Sequence, residues 1–272
     1  TDIEIKLRQS SFSIEENDDI EALYHDTIIC DSTINLTLNR GQTYLYRSSS
    51  SAAKRKTGLS DDTYTDAFTS LAGTTICSQN NIIVFQGGQE AKIPSYTDPI
   101  NHIWSQTLPT DYWGKKFVVT RSKDQKTDCV LITAAEDKTV LKIDTIAGYI
   151  DTTINRLQTY EIYLNGKDYI YITSNKAIQC NIYMVGYNYI NSNYGAPSMT
   201  PITPLEQRYR SIIYATFSSS IIKKNEHYVN IVLPKAARAE MNINTGGITT
   251  NIANQFKDIP NSDYAYAIVN LA

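Results

Sequence analysis

Apolar and polar residues alternate with a period of two along much of the chain, the mark of strands with one buried and one wet face. Ile3, Ile5 and Leu7 alternate with Glu4, Lys6 and Arg8. Val229, Ile231 and Leu233 do the same around Asn230, although Val232 blurs the pattern. Tyr160-Glu161-Ile162-Tyr163-Leu164 runs into Asn165-Gly166 and resumes at Tyr169-Ile170-Tyr171-Ile172, which predicts a β-hairpin over a two-residue turn. The pattern predicts six strands at 129–133, 139–143, 153–157, 159–164, 169–173 and 178–185. Three more follow at 228–234, 240–244 and 264–271, with turn signals at Gly246-Gly247 and Pro260-Asn261. Long helical periodicity is absent. The short helices predicted are one near 13–16, where Ser13 and Glu16 have capping-box spacing, and one over 99–106.

Two phrases occur twice. Leu38-Asn39-Arg40-Gly41-Gln42-Thr43-Tyr44 returns as Ile154-Asn155-Arg156-Leu157-Gln158-Thr159-Tyr160. Ile76-Cys77-Ser78-Gln79-Asn80-Asn81-Ile82 returns as Ile172-Thr173-Ser174-Asn175-Lys176-Ala177-Ile178. The spacing from Leu38 to Ile76 exceeds that from Ile154 to Ile172 by 20 residues, so the first copy is swollen between its phrases. Self-similarity of this kind marks duplicated structural units. The fold expected is all-β, built of repeated antiparallel β-sandwich-like units, two complete and a third incomplete. The layout expected is a first β repeat over 1–95 with a long loop at 47–72, and a Trp-containing junction over 96–126. A second repeat over 127–200 and the incomplete third over 201–272 follow. The loop opens on Arg47-Ser48-Ser49-Ser50-Ser51 and carries Lys54-Arg55-Lys56, a polar, solvated composition. The third unit has no counterpart of the strands that follow the repeated phrase. Completion is expected from a chain continuing past Ala272, from strand 2–8 folding back, or from another molecule.

Composition narrows the function classes. Twenty tyrosines against six phenylalanines suit half-buried sheet faces. A net charge of −3 with both signs scattered offers no basic face for nucleic acid. No apolar run is long enough for a membrane-spanning helix. A chain opening at Thr1 reads as a mature or excised fragment. Four cysteines pair naturally by copy, Cys30 with Cys77 and Cys129 with Cys180. Sequence leaves three connectivities, and four buried thiols are the alternative. With the glycosylation sequon Asn35-Leu36-Thr37, the cysteines lead to an expectation of a secreted or cell-surface glycoprotein. Catalytic patterns are missing: His25, His102 and His227 have no metal-ligand spacing, and there is no phosphate loop or nucleophile elbow. Asp18-Asp19 and Asp61-Asp62 read as solvated turn residues, with a loop calcium site as the lesser alternative. A non-enzyme without cofactor or metal is expected.

Two stretches suit binding. Tyr187, Tyr189 and Tyr194 lie in a Tyr/Asn/Ser run typical of recognition loops, or pack a connector onto its neighbour. Both tryptophans, Trp104 and Trp113, fall with His102, Gln106 and Tyr112 in the junction. Exposed, they form a platform for a glycan or a protein hot spot. Buried, they cement the junction, and the usual fate of large aromatics favours burial.

The junction residues Asp98-Pro99-Ile100-Asn101-His102-Ile103-Trp104-Ser105-Gln106 and Pro109-Thr110-Asp111-Tyr112-Trp113-Gly114-Lys115-Lys116-Phe117 resemble the hallmark of the IgGFc-binding-protein N-terminal domain family. Similar pieces recur in order: 38–44, Ser78 to Phe85, Ile132 to Val140, Gly195-Ala196-Pro197-Ser198-Met199, Pro204-Leu205-Glu206-Gln207 and Tyr228 to Val232. The resemblance covers roughly residues 28–272. It implies a secreted or cell-surface, non-enzymatic module of mucus-type and adhesive proteins, with the family pattern continuing beyond Leu271. Cysteines that relatives often carry before the Trp-Gly step are absent, and Ala196 stands where aspartate is common. The function expected is an extracellular binding or adhesion module with a protein or glycan partner. The alternative is a matrix or filament component that self-associates by strand exchange through the open third repeat.

Overall fold

The computed structural model describes residues 1–6, 33–46, 73–94, 100–123, 125–145, 148–186, 196–213 and 227–271. The architecture is all-β and antiparallel throughout, with a half-barrel at its centre. Alternating Ile3 and Ile5 place β1 (Asp2–Lys6) in the middle of a three-stranded sheet, between β2 (Thr33–Thr37) and β3 (Thr75–Ser78). The N-terminal strand therefore belongs to the first copy and does not fold back to complete the third. Next come β4 (Phe85–Ala91) and β5 (Asn101–Gln106), which pair as a two-stranded ribbon. A strand thus stands where a helix over 99–106 was expected. Alternation of exposed His102, Trp104 and Gln106 with half-buried Ile103 and Ser105 overrides the weak helical signal. The helix expected near 13–16 and the loop 47–72 lie outside the described residues.

The central sheet takes β6 (Gly114–Thr120), β7 (Asp128–Ala134), β8 (Thr139–Thr145), β9 (Gly148–Ile154), β10 (Thr159–Tyr163), β11 (Tyr169–Met184) and β12 (Ser198–Ile202). Two expected strands are fused in β11, whose register shifts between Thr173 and Ile178. Its first half lies between β6 and β8, its second half between β7 and β12. One long strand thereby serves two layers, β6-β11-β8-β9 and β12-β11-β7-β10. Both layers turn their apolar residues into one core of Phe117, Val130, Ile132, Leu141, Ile143, Ile172 and Ile178, each at most 1% exposed. Burying one such side chain contributes about 1.5–3 kcal/mol.

The predicted 160–172 hairpin does not form. The Asn165-Gly166 turn is present, with φ of 44° and 78° and a bond from Lys167 N–H to Leu164 O (3.0 Å). Yet β10 pairs with β7 instead of β11. Leu164 N–H donates to Asp128 O and Gly166 N–H to Lys126 O, which pins the turn to the start of β7. The turn therefore moves the chain from one layer to the other.

The repeated phrases fold alike. Gln42 N–H donates to Asn39 O while Gln42 Oε1 accepts from Asn39 N–H (2.8 Å). Gln158 and Asn155 repeat both bonds, the side-chain one again at 2.8 Å. The third residue has positive φ in each turn, 82° at Gly41 and 62° at Leu157. Sheet register repeats as well. Ile3 faces Leu36 and Ser78, and Leu141 faces their counterparts Thr152 and Ser174. Phe85 and Gly87 face Gln106 and Trp104, just as Asn181 and Tyr183 face Pro201 and Met199. Thus β2-β1-β3 repeats β9-β8-β11, and β4-β5 repeats β11-β12.

The last part holds β13 (Tyr228–Pro234), the hairpin β14 (Asn242–Thr245) and β15 (Ile248–Asn251), the short β16 (Lys257–Asp258) and β17 (Tyr264–Asn270). β13 pairs with β17 in the register of β6 with β11: Tyr264 and Tyr266 face Pro234 and Val232 as Tyr169 and Tyr171 face Thr120 and Val118. These two ladders meet face to face with crossed partners. The Tyr169 and Tyr266 rings lie 5.0 Å apart, and those of Tyr171 and Tyr264 6.4 Å apart. Tyr266 O–H donates to Asp168 Oδ2 (3.1 Å), while the counterpart carboxylate Asp263 helps raise the Tyr171 phenol, after burial and Tyr264. Val118 and Val232 complete this pseudo-twofold contact.

The expected Cys129–Cys180 disulfide is absent. Cys180 belongs to the central core beside Ile178, while Cys129 points out of the other face of β7 beside Val185. In the ladder Cys129 faces Tyr183 and Cys180 faces Ile132. Three residues of strand, about 10 Å, and the sheet itself therefore separate two sulfurs that a bridge would need within a Cα separation of about 7 Å. Both are free thiols, as is exposed Cys77, and Cys30 lies outside the described residues. Burial pushes the Cys129 thiol up to about 12, with Glu161 adding to it, and raises Cys180 well above the ordinary value. Both stay protonated and unreactive.

Candidate interaction surface

The β4-β5 ribbon brings three of the sequence-predicted residues together. His102, Trp104 and Gln106 alternate on β5 and share its outward face, all exposed. Across the ladder, Trp104 faces Gly87 and Gln106 faces Phe85. Directly opposed residues lie on the same side of a sheet. The result is a face with Trp104 53% and Phe85 64% exposed, flanked by an imidazole and an amide. Gly87 sets its shape. A Cβ there would run into the Ile103 carbonyl oxygen and come within 2.8 Å of Trp104 Cδ2, so only glycine lets the indole lie over the ribbon. In the second copy the bulk is exchanged: Tyr183 stands at the glycine position and Met199 at the tryptophan position.

Burial of both tryptophans, the favoured expectation, fails for Trp104. Its side chain is 53% exposed. Trp113 meets the expectation halfway: it is half-buried, and its Nε1–H donates to Leu108 O (3.1 Å). Tyr112, 56% exposed, closes a 3-10 turn over Thr110–Tyr112 that Pro109 opens. Tyr187, Tyr189 and Tyr194 lie outside the described residues.

The ribbon is held from behind. Asn101 Nδ2 donates to Pro197 O (2.9 Å) and Gly186 N–H to Ile93 O (2.9 Å), while Thr107 N–H donates to Val84 O (2.8 Å) within the ribbon itself. Ile93 packs into a small cluster with Cys129, Val185, Tyr163 and Tyr183. Burial, aided by Cys129, raises the Tyr183 phenol to about 12. After the ribbon, Trp113-Gly114-Lys115 docks on Pro204-Leu205-Glu206-Gln207. Lys115 N–H donates to Glu206 Oε1 (3.0 Å), Gln207 Nε2 donates to Tyr112 O (2.5 Å), and Gly114 abuts Pro204 with no room for a Cβ. Two hallmark segments far apart in sequence thus dock on each other directly after the ribbon.

The sequon residue Asn35 is exposed on β2, with Glu4 opposite it and Cys77 opposite Glu4. Thr37 Oγ1 donates to Asp2 Oδ1 (2.8 Å). Phe85 and Gly87 were missed as surface residues in the sequence. Their apolar run resembles a buried strand, and only the ladder register shows that they share the face of Trp104. Among the described residues no three His, Cys, Asp or Glu side chains converge as metal ligands, and no helix is long and apolar enough to cross a membrane.

No curated protein and no solved structure matches the chain. One family does, described as IgGFc binding protein, and its match runs over residues 1–272, which takes in both phrases and the junction. The docked Trp-Gly-Lys segment, the doubled turn and the continuous match agree, and the chain belongs to the IgGFc binding protein family.

Proposed function

We propose that this chain is an extracellular, non-enzymatic binding module that engages a protein partner through the outer face of the β4-β5 ribbon. The observation carrying this is the presence of Trp104 and Phe85, both more than half exposed, on one face of a ribbon tied to the rest of the fold through Asn101 and Ile93. A large aromatic held rigidly in the open supplies contact area at low entropic cost, the property of interface hot spots. His102 and Gln106 add hydrogen-bonding groups beside the rings. The family description supports a protein as the partner. Secretion, a glycan at Asn35 and organisation into repeats over 1–95, 127–200 and 201–272 joined through 96–126 belong to the same reading. The test is surface capture of immunoglobulin Fc and of an extracellular protein panel by the whole chain, with a glycan array in parallel. Trp104→Ala should weaken the captured partner by about 2 kcal/mol or more and leave the melting temperature unchanged. Binding that is indifferent to Trp104→Ala, or hits confined to the glycan array, would overturn it.

A further inference from the structure

The two halves of the pseudo-twofold contact are not filled alike. Each half sets one carboxylate near a tyrosine of the opposite ladder, Asp168 with Tyr266 and Asp263 with Tyr171. The backbone marks the carboxylates as counterparts: Arg121 N–H donates to Asp168 O and Lys235 N–H to Asp263 O, both at 2.8 Å. In the first half the carboxylate is saturated. Asp168 accepts from the Arg121 guanidinium (2.9 Å) and from Tyr266 O–H (3.1 Å), and Lys257 Nζ lies 3.6 Å away. Arg121 is itself fixed by bonds to Lys167 O and Gln125 O. The second half repeats the carboxylate and the phenol without the cation. Lys235 stands in the place of Arg121, yet among the described residues no cation pairs with Asp263, which is exposed, and the Tyr171 phenol has no hydrogen-bond partner. These groups are neighbours, since Tyr264, Asp263 and Glu206 all add to burial in raising the Tyr171 phenol. The Tyr171 and Tyr264 rings lie 6.4 Å apart and tilted. Arg208 holds its guanidinium 5.9 Å from the Tyr264 ring and reaches neither carboxylate.

We propose that the Asp263 half takes an arginine side chain of a protein partner, whose guanidinium pairs with the Asp263 carboxylate beside Tyr171 and Tyr264 as Arg121 pairs with Asp168 beside Tyr266. The filled half specifies the occupant: a guanidinium is what its carboxylate holds at closest range. A planar guanidinium bonds a carboxylate through two parallel N–H groups and stacks on aromatic faces, whereas an ammonium is a strongly hydrated point charge. An exposed ion pair alone contributes little. The two rings add a cation–π attraction that a lone surface carboxylate lacks. The proposal is independent of the aromatic ribbon, because its residues belong to β11, to β17 and to the turn before β17.

The probe is the peptide acetyl-Gly-Arg-Gly-amide, titrated into the whole chain with NMR detection at the Asp263 carboxyl carbon and the Tyr171 ring. The same peptide with citrulline keeps the shape of arginine and removes its charge. Saturable shifts at both groups are expected with arginine, and binding about tenfold weaker with citrulline, as the loss of one charge-assisted contact implies. Asp168, already paired, should respond to neither peptide. Asp263→Asn should weaken arginine binding by a similar factor and leave the melting temperature unchanged, because its carboxylate bonds nothing in the fold. Should that variant fail to fold, the citrulline comparison on the unaltered chain decides by itself. No saturable shift, equal binding of the citrulline peptide, or an equal response at the exposed Asp111 and Asp151 would each overturn the proposal. So would loss of binding in Trp104→Ala, which would move the arginine to the aromatic ribbon.

Discussion

The first and second copies share one ladder and one turn, yet they differ widely in what they bury. Among the described residues thirteen buried residues form a single cluster around β8 and β9, and two, Ile3 and Ile5, form one around β1 and β2. The partly buried Ile34 and Tyr46 correspond in place to the partly buried Ile150 and Ile162, and the partly buried Leu38 to the buried Ile154. In the second copy β6 and β7 flank the two halves of β11 and close over the ladder. Register and turn chemistry are local and repeat with the sequence. Core size is set by how many layers meet.

Truncating counterpart isoleucines breaks the comparison most sharply. Ile143→Ala should cost about 3–4 kcal/mol in global unfolding, since the site is enclosed and cannot collapse. Ile5→Ala should cost less than half as much and should speed exchange only at amides of β1–β3. Equal costs by urea denaturation would mean that the two copies unfold as one unit.

Next in size is the contact between the second copy and the last part of the chain. Asp168 accepts from Arg121 Nη2 (2.9 Å) and from Tyr266, with Lys257 Nζ 3.6 Å away, and the Arg121 bond foremost holds its carboxyl below the ordinary range. A depressed folded pKa contributes stability that is full above the ordinary carboxylate range and is lost as pH falls through the folded value. Asp168→Asn should therefore lower the melting temperature at neutral pH and flatten its decline in acid. An unaltered acid profile would show that the pseudo-twofold contact rests on its tyrosines alone. Buried Asp128, whose pKa burial raises, has the opposite slope: its carboxylate form costs stability as pH rises through its folded value.

The smallest expected effect tests the shared turn. Gln42→Ala and Gln158→Ala each remove one bond to a backbone N–H, worth about 1 kcal/mol. Gln158→Ala should cost the more, because its turn is also tied to the β7-β8 turn. There Arg156 N–H donates to Asp137 Oδ1 (3.0 Å) and Lys138 N–H to Asn155 Oδ1 (3.1 Å). Matched thermal melts of the two variants decide it.

Where sequence succeeded, the signal was local. Alternation in 139–143 and 228–234, and the doubled Asn-Arg-x-Gln turn, needed only near neighbours to be read. Failures came where distant partners decide. Asn165-Gly166 specifies a reversal but says nothing of which strand lies beside β10. Cys129 and Cys180 look pairable until ladder counting puts them on opposite faces. The exposure of Trp104 depends on Gly87, seventeen positions earlier in the chain. No spacing rule links the two.

The crossed tyrosine pairs set a limit on growth. Because Tyr169 meets Tyr266 while Tyr171 meets Tyr264, each ladder uses the same patch toward the other, and the contact is satisfied by two members. A head-to-tail contact would leave a fresh patch at each end and permit an endless array. This one saturates. Any longer assembly of such repeats must be joined through a different surface, with these two units acting as one closed block.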